Sequence, residues 1–249
     1  MESSVGSTDS NIVKLKEKTK TYPMLTIIDD DGDVGFYDKL LPIIIEKNVP
    51  ISTAVSISRI GSSERWMTWE QIDQAHNMGA EILCHTYDHA SYSVVEDRSV
   101  EEIEALFSEA RDILIQKGYS GGDILVYSGA SGTLRKVQDA ASRVFKAAFH
   151  SSGNAMIYSE SLDQFNLSRY RVWPKDIGYA DVYDVNNPDV LKGLVDEVLE
   201  NGGWMVWMIH TSSPFTEEAV NALATAIDYA REQGLPIVTA EEGCENYLR

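Results

Sequence analysis

His85 and His89 stand four residues apart in "EILCHTYDHAS" (residues 81–91), in a chain with only five histidines. Two imidazoles at this spacing can converge on one point if the backbone turns once between them. Converging imidazoles suit a divalent metal, most often zinc. The same spacing also arises when one histidine ends a strand and the other sits on a solvated turn. Upstream, "TIIDDDG" closes an apolar run with three carboxylates, Asp29, Asp30 and Asp31, before Gly32. Downstream, "KAAFHS" carries His150, and the apolar "GWMVWMIH" ends in His210. Taken singly, three aspartates can cap a helix and His210 can be a satisfied, half-buried histidine. Four apolar runs tipped with carboxylates and imidazoles point instead to one shared site, provided the fold gathers their ends.

The elements that must do the gathering alternate in type almost throughout. "PMLTIID", "VPISTAVSI", "AEILCH", "DILVYS", "KAAFHS", "RYRVWP", "GWMVWMIHT" and "LPIVTA" read as strands. Between them lie helical patterns. "GFYDKLLPIIIEKN" reads as a helix despite Pro42, and Gly79 closes "TWEQIDQAHNMG". In "SVEEIEALFSEARDILIQKG", Ser99 and Glu102 form a capping box and Gly118 is the stop. "TLRKVQDAASRVF", "PDVLKGLVDEVLENG" and "TEEAVNALATAIDYAREQG" complete the set, and the pattern breaks up between residues 151 and 185. Such alternation implies an α/β fold with a mostly parallel sheet, open or closed. No G-x-G-x-x-G opens the first helix, which argues against a dinucleotide-binding sheet. About seven βα units fit a (β/α) barrel, whose functional rim lies at the C-terminal ends of the strands. One domain, residues 23–249, is expected after a short polar tail, residues 1–22.

Composition narrows the partners. The 249 residues are 43% hydrophobic and 24% charged, ordinary for a chain with a real core. The net charge of -18 argues against nucleic acid and anionic membranes, which reward clustered Lys and Arg. No apolar run approaches the ~18 residues of a membrane span. The first 23 residues lack the apolar stretch of a secretory signal, so either the protein stays inside or this is a mature form or part of something longer. Cys84 and Cys244 make neither a disulfide framework nor a thiolate metal site. Cys84 reads as a packed core thiol, and its pairing with Cys244 stays open. Trp204 and Trp207 read as core; Trp66, Trp69 and Trp173 read equally as packing or as glycan platforms. His76 reads as solvated, and His150 as either a site wall or a strand end.

In combination, "TIIDDDG", "WEQIDQAHNMGAEILCHTYDHAS" and the strand closing on Ile209 and His210 resemble the polysaccharide deacetylase family, the NodB-homology group or carbohydrate esterase family 4. The resemblance runs over residues 22 to 240. Asp30, Asp31 and Gly32 match its Asp-Asp-Gly motif, and His85, Thr86 and His89 match His-Ser/Thr-x-x-His. What the resemblance implies is a distorted (β/α) barrel with one metal, commonly zinc or else another divalent ion, on Asp31, His85 and His89. It further implies Asp30 as base, His210 as general acid, and the Tyr127 backbone N–H against an oxyanion. The implied reaction is removal of N-acetyl groups from a glycan such as peptidoglycan or a chitin-like oligomer, in an extracellular or cell-surface setting.

Two family motifs are missing. The place of Arg-Pro-x-x-Gly reads "ILVYSGASG", and no Asp-x-x-Asp-Trp lies near "FHSSGN". A cation for Asp30 is therefore expected from "RYRVWPK". Arg169 and Arg171 share a strand face, and Arg171, nearer the strand's end, is expected to reach the site while Arg169 is not; Lys175 is the alternative. The missing arginine keeps other readings open: an O-acetyl ester or non-glycan amide as substrate, or a glycan-binding module of a larger surface or phage-tail assembly. Oligomeric state is not legible. Three consecutive aspartates allow a slip of one, and Gly32 is the anchor.

Overall fold

Eight strands carry the fold: β1 (Met24–Asp29), β2 (Ser52–Val55), β3 (Glu81–Cys84), β4 (Ile124–Val126), β5 (Ala147–Gly153), β6 (Leu167–Trp173), β7 (Tyr183–Asp184) and β8 (Trp204–Ile209). They belong to a computed structural model that describes residues 22–159, 163–175, 181–212 and 214–248. The expected N-terminal tail thus lies outside the described residues except for Tyr22. Every strand pairing is parallel, in the order β5-β4-β3-β2-β1-β8-β6, and β5 pairs with β6 to close the ring. The result is a single-domain, closed seven-stranded barrel, as expected, with the two-residue β7 attached outside to β6. Its distortion is local. The β5–β6 seam shifts register between Phe149 and Gly153.

Alternation along the strands sorts the side chains into two apolar layers. Met24, Ile28, Ala54, Leu83, Val126, Phe149, Leu167, Trp204 and Val206 fill the barrel. Leu25, Ile27, Val55, Ile82, Cys84, Leu125, Tyr170 and Trp207 face the helices outside. Both Trp204 and Trp207 are therefore core, and Cys84 and Cys244 are buried and free. No helix among the described residues is long and apolar enough to cross a membrane.

The helices begin where local chemistry says they should. Thr68 with Gln71, and Ser99 with Glu102, form reciprocal capping boxes at the starts of Trp69–Asn77 and Val100–Gln116. Pro42 lies in the first turn of the α-helix Leu41–Lys47, at its junction with the preceding helical turn. That helix follows a π-helical turn, Phe36–Leu40, that the apolar spacing does not reveal.

One expected element is wrong. "LPIVTA" is not a strand: Ile237 makes a single bridge to Leu25, and Thr239 then caps a helix, Ala240–Tyr247, through a box with Glu242. This helix plugs the N-terminal end of the barrel. Buried Glu81 holds its start, accepting the Ala240 and Glu241 N–H groups at 2.7 and 2.8 Å. Trp204, whose Nε1 donates to Thr26 Oγ1 at 2.9 Å, packs edge-on to Phe149 and lies against Tyr247. Gly243 makes the seat possible, since a Cβ there would come within 2.2 Å of the indole.

Helix propensity alone predicts that Gly243→Ala stabilises the protein by about 1 kcal/mol. Overpacking a rigid, buried indole costs about 1–3 kcal/mol or more, so a net loss is expected. The midpoint of thermal unfolding should fall by roughly 2–8 °C for a domain of this size. An unchanged or raised midpoint in calorimetry would mean that the helix does not bear on Trp204.

Candidate active site

The strand ends on one rim are held in place by hydrogen bonds that run past the strands. Asp30 N–H donates to the Ile209 carbonyl at 3.0 Å, and His85 N–H to the Val55 carbonyl at 2.9 Å. Beyond these points the backbone turns sharply through left-handed conformations: Asp31 at φ 84°, Gly32 at 70°, Thr86 at 66° and His89 at 49°. Positive φ at three non-glycine residues is costly and marks a functional turn. Hydrogen bonds offset part of the cost. Thr86 Oγ1 accepts the His89 N–H at 3.1 Å, and Ser56 Oγ donates to the His85 carbonyl at 2.6 Å. The chain therefore turns once between the histidines, as their spacing requires for convergence.

Asp31, His85 and His89 come together. Asp31 Oδ1 lies 2.8 Å from His89 Nε2 and 3.5 Å from His85 Nε2, and one ligand atom from each residue falls within 4.8 Å of the others. His85 Nδ1 is 2.8 Å from the Val126 carbonyl. A carbonyl can only accept, so Nδ1 carries a proton, and Nε2, which faces Asp31, is the nitrogen that would serve as ligand once a metal displaces its own proton, the outer-shell arrangement of a metal-binding histidine. Two imidazole nitrogens and one carboxylate oxygen, converging with room for a fourth ligand, suit a divalent metal. Burial opposes the charge on Asp31, but hydrogen bonds from His85 and His89 hold its pKa far below the usual carboxylate range. Arg59, which the sequence reading passed over, donates from Nη1 to the same Oδ1 at 2.8 Å.

The three aspartates have three different environments. Asp29 faces outward from β1, fully buried, and accepts the Thr211 N–H and hydroxyl at 2.7 and 3.2 Å. Asp30 faces into the barrel mouth, where Arg169 meets it with two bonds, Nη1 to Oδ1 at 2.7 Å and Nη2 to Oδ2 at 2.9 Å. Burial raises the Asp30 pKa, yet the guanidinium outweighs it and keeps the carboxylate below its ordinary value.

The arginine is thus not the one expected. Arg171 pairs in register with Met208 at the level of the pocket and lines it. Arg169 starts two residues deeper, about 6–7 Å along the strand, and reaches up from inside with 0% of its side chain exposed. Its Nε also donates to the His150 carbonyl at 3.0 Å. Lys175 is exposed beyond the end of β6.

His210 follows β8 onto the same rim, with Nε2 3.9 Å from Asp31 Oδ2. Its Nδ1 is buried and finds no hydrogen-bond partner among the described residues, while the ring packs edge-to-face with Trp173, centroids 4.7 Å apart. Burial pushes its pKa down, against the pull of Asp30 and Asp31. Asp30, Asp31, His85, His89, Arg171, Trp173, Met208 and His210 surround one open pocket of about 330 Å³, with Gly129 and Ala130 on its wall.

Tyr127 does not fit its expected role. Its N–H already donates to the Phe149 carbonyl at 2.9 Å, because the β4–β5 ladder runs one residue past β4, and its hydroxyl donates to the Phe165 carbonyl. From the loop that follows β4, Gly129 and Ala130 line the pocket, and Tyr127 does not. Among the tryptophans only Trp173 lines the pocket; Trp66 carries the guanidiniums of both Arg59 and Arg65, and Trp69 lies under Lys117. His150 is partly buried, and burial with Arg169 and Arg171 lowers its pKa to about 4.

The buried pair makes a measurable prediction. Arg169→Met should cost about 3–5 kcal/mol, since it strands a buried carboxylate. The double variant Asp30→Asn/Arg169→Met should recover much of that loss by removing the orphaned charge. Arg171→Ala should shift stability by no more than about 0.5 kcal/mol. Denaturant unfolding of the four proteins checks it, and equal effects at positions 169 and 171 would contradict the pairing.

No curated protein matches the sequence. Solved structures do match in fold. A Streptococcus pyogenes deacetylase, PplD, solved with acetate, aligns at TM-score 0.54 and 17% identity, over 60% of this chain and 65% of that one. The chain therefore spans less than two thirds of that relative's length. A family 4 carbohydrate esterase from Streptomyces lividans, also with acetate, aligns at 0.57 and 12% identity, over 86% and 91%. A CE4 family pseudoenzyme from Bacillus anthracis aligns at 0.58 and 14%, over 90% and 66%. The model of the polysaccharide deacetylase family matches residues 17–147, from before β1 through the segment that holds both histidines and the three aspartates. By that match, which covers more than half of its length, the chain belongs to the polysaccharide deacetylase family.

Proposed function

We propose that the protein is a metal-dependent hydrolase that removes acetyl groups from an N-acetylated glycan, of peptidoglycan or chitin-like type. The observation that carries the reading is the grouping of Asp31, His85 and His89 with Asp30 and His210 around one open pocket. Asp31, His85 and His89 would hold one divalent ion, zinc by the donor set. When bound, such an ion supplies Lewis acidity, lowering the pKa of water and favouring negative charge on a carbonyl oxygen.

The remaining work belongs to the protein's own groups. Asp30, kept ionised by Arg169, takes the proton of the water that attacks the acetyl carbonyl. The new C–O bond puts charge on the carbonyl oxygen, and the backbone N–H of Ala130, on the pocket wall, is the protein donor we assign to it. The C–N bond then breaks, and His210, as imidazolium, gives a proton from Nε2 to the departing nitrogen. Acetate and a free amine are the products. Trp173 and Met208 supply an apolar wall for the acetyl methyl, and Arg171 a donor for sugar oxygens.

The test pairs metal analysis with acetate release from N-acetylated and O-acetylated glycans. One divalent ion per chain is expected, and His85→Ala or His89→Ala should lose most of the affinity, because two protein ligands rarely hold zinc against a chelator. Undiminished metal binding by both variants would remove the site. Asp30→Asn should keep the metal and lose about 10²–10⁴ in turnover, the usual share of a general base. Release from O-acetyl substrates alone would move the assignment to an esterase. No release from any substrate by the metal-loaded protein would leave a glycan-binding role.

A further inference from the structure

Thr211, the residue after His210, is gripped at each of its polar atoms. Its N–H donates to Asp29 Oδ1 at 2.7 Å and its hydroxyl to Asp29 Oδ2 at 3.2 Å. Its carbonyl accepts from Lys39 Nζ at 3.3 Å, and the same nitrogen donates to the Phe215 carbonyl at 2.7 Å. Lys39 thereby ties together both ends of the segment that follows His210. It sits on the π-helical turn Phe36–Leu40, a local widening found often at functional sites. The approach is close: a Cβ on Gly35, just before that turn, would lie 2.6 Å from the Thr211 carbonyl oxygen. Thr211 is 1% exposed and Asp29 0%. None of Asp29, Lys39 and Thr211 lines the pocket.

The imidazole this network adjoins has little else to hold it. His210 Nδ1 makes no hydrogen bond among the described residues, and edge contact with Trp173 restrains the ring from one side. Asp31 Oδ2 stands 3.9 Å from Nε2, beyond hydrogen-bond reach, so the ring's position depends on the backbone that carries it. We propose that Asp29, Thr211 and Lys39 form a positioning clamp that fixes the His210 imidazole over the pocket by immobilising the next residue. The proposal rests on the reading of His210 as the general acid. It also explains the third aspartate of "DDD": Asp29 belongs neither to the base nor to the metal site, and does its work on the outer face of the barrel.

Thr211→Val keeps the shape and removes the hydroxyl, Thr211→Ser keeps the hydroxyl, and Lys39→Met keeps the stem and removes the charge. The protein carries its metal throughout, and five quantities are measured: kcat and KM on the best acetylated substrate, metal affinity by chelator competition, thermal midpoint, and the ring resonances of isotope-labelled histidine. Thr211→Val should lower kcat about 10- to 100-fold, the cost of a small misplacement of a catalytic group, with KM and metal affinity unchanged. Thr211→Ser should restore most of the loss, and Lys39→Met should act in the same direction. The His210 resonance should shift or broaden in Thr211→Val and Lys39→Met, while those of His85 and His89 stay put. Unchanged kcat and an unchanged His210 resonance in a folded Thr211→Val would overturn the clamp, as would failure of serine to rescue. If Thr211→Val does not fold, Lys39→Met decides by the same readouts. If the parent protein hydrolyses nothing, the functional reading falls, and the histidine resonances still decide whether the clamp holds the ring.

Discussion

Inside the barrel mouth the Asp30 carboxylate and the Arg169 guanidinium have both left water, and neither could stay there without the other. Removing an ion from water costs several kcal/mol even after relaxation, about the range that a well-formed, hydrogen-bonded pair recovers. Here the geometry is bidentate, and the third guanidinium donor goes to the His150 carbonyl. The pair thus joins β1, β5 and β6 across the lumen. Apolar side chains such as Phe149, Leu167 and Val206 fill the barrel interior, and the pocket opens at its mouth. Arg169 lies beneath Asp30, fully buried and behind the residues that line the pocket. It also fixes the charge of Asp30, so the same contact that tolerates the buried carboxylate keeps it ready to accept a proton.

The rim depends on this rigidity because its backbone is strained. Asp31, Thr86 and His89 all hold positive φ without being glycine, and such conformations persist only where the surroundings over-determine them. The closed parallel barrel supplies that constraint. Asp30 is bound to β8 through Ile209, His85 to β2 through Val55 and to the β4 end through Val126. Charges around the metal-binding cluster are correspondingly balanced. Two aspartates, Asp30 and Asp31, face Arg169 and Arg59, and Arg171 also lines the pocket, so in an acidic chain the candidate site has no excess of carboxylates before any metal is counted.

The opposite end of the barrel explains how the site can be left open. Closure there falls to the helix Ala240–Tyr247, seated on Trp204 and capped by Glu81. Its Thr239–Glu242 box was a local signal within reach of the sequence. It was hidden by the β-branched character of "LPIVTA", since a single bridge at Ile237 uses the same residue types as a strand.

Sequence alone determined whatever depends on neighbours within a few residues. Alternating periods gave the βα order, Ser99 and Glu102 marked a helix start, and the four-residue step between His85 and His89 implied their convergence. Of the three aspartates, Asp31, next to Gly32, is the one that groups with His85 and His89. Tertiary structure decided what depends on depth and on partners far along the chain. Strand parity put Arg169 and Arg171 on one face, but only the pairing of β6 with β8, and of β8 with β1, sets which one stands below Asp30 and which beside the pocket. Likewise the N–H of Tyr127 is spent on Phe149 because β5 pairs one residue beyond the end of β4, and Arg59 and Arg65 cover Trp66 because of a loop fold. Parity is a local property of a pleated chain, whereas height in a barrel is set by the stagger between strands, which no single strand encodes.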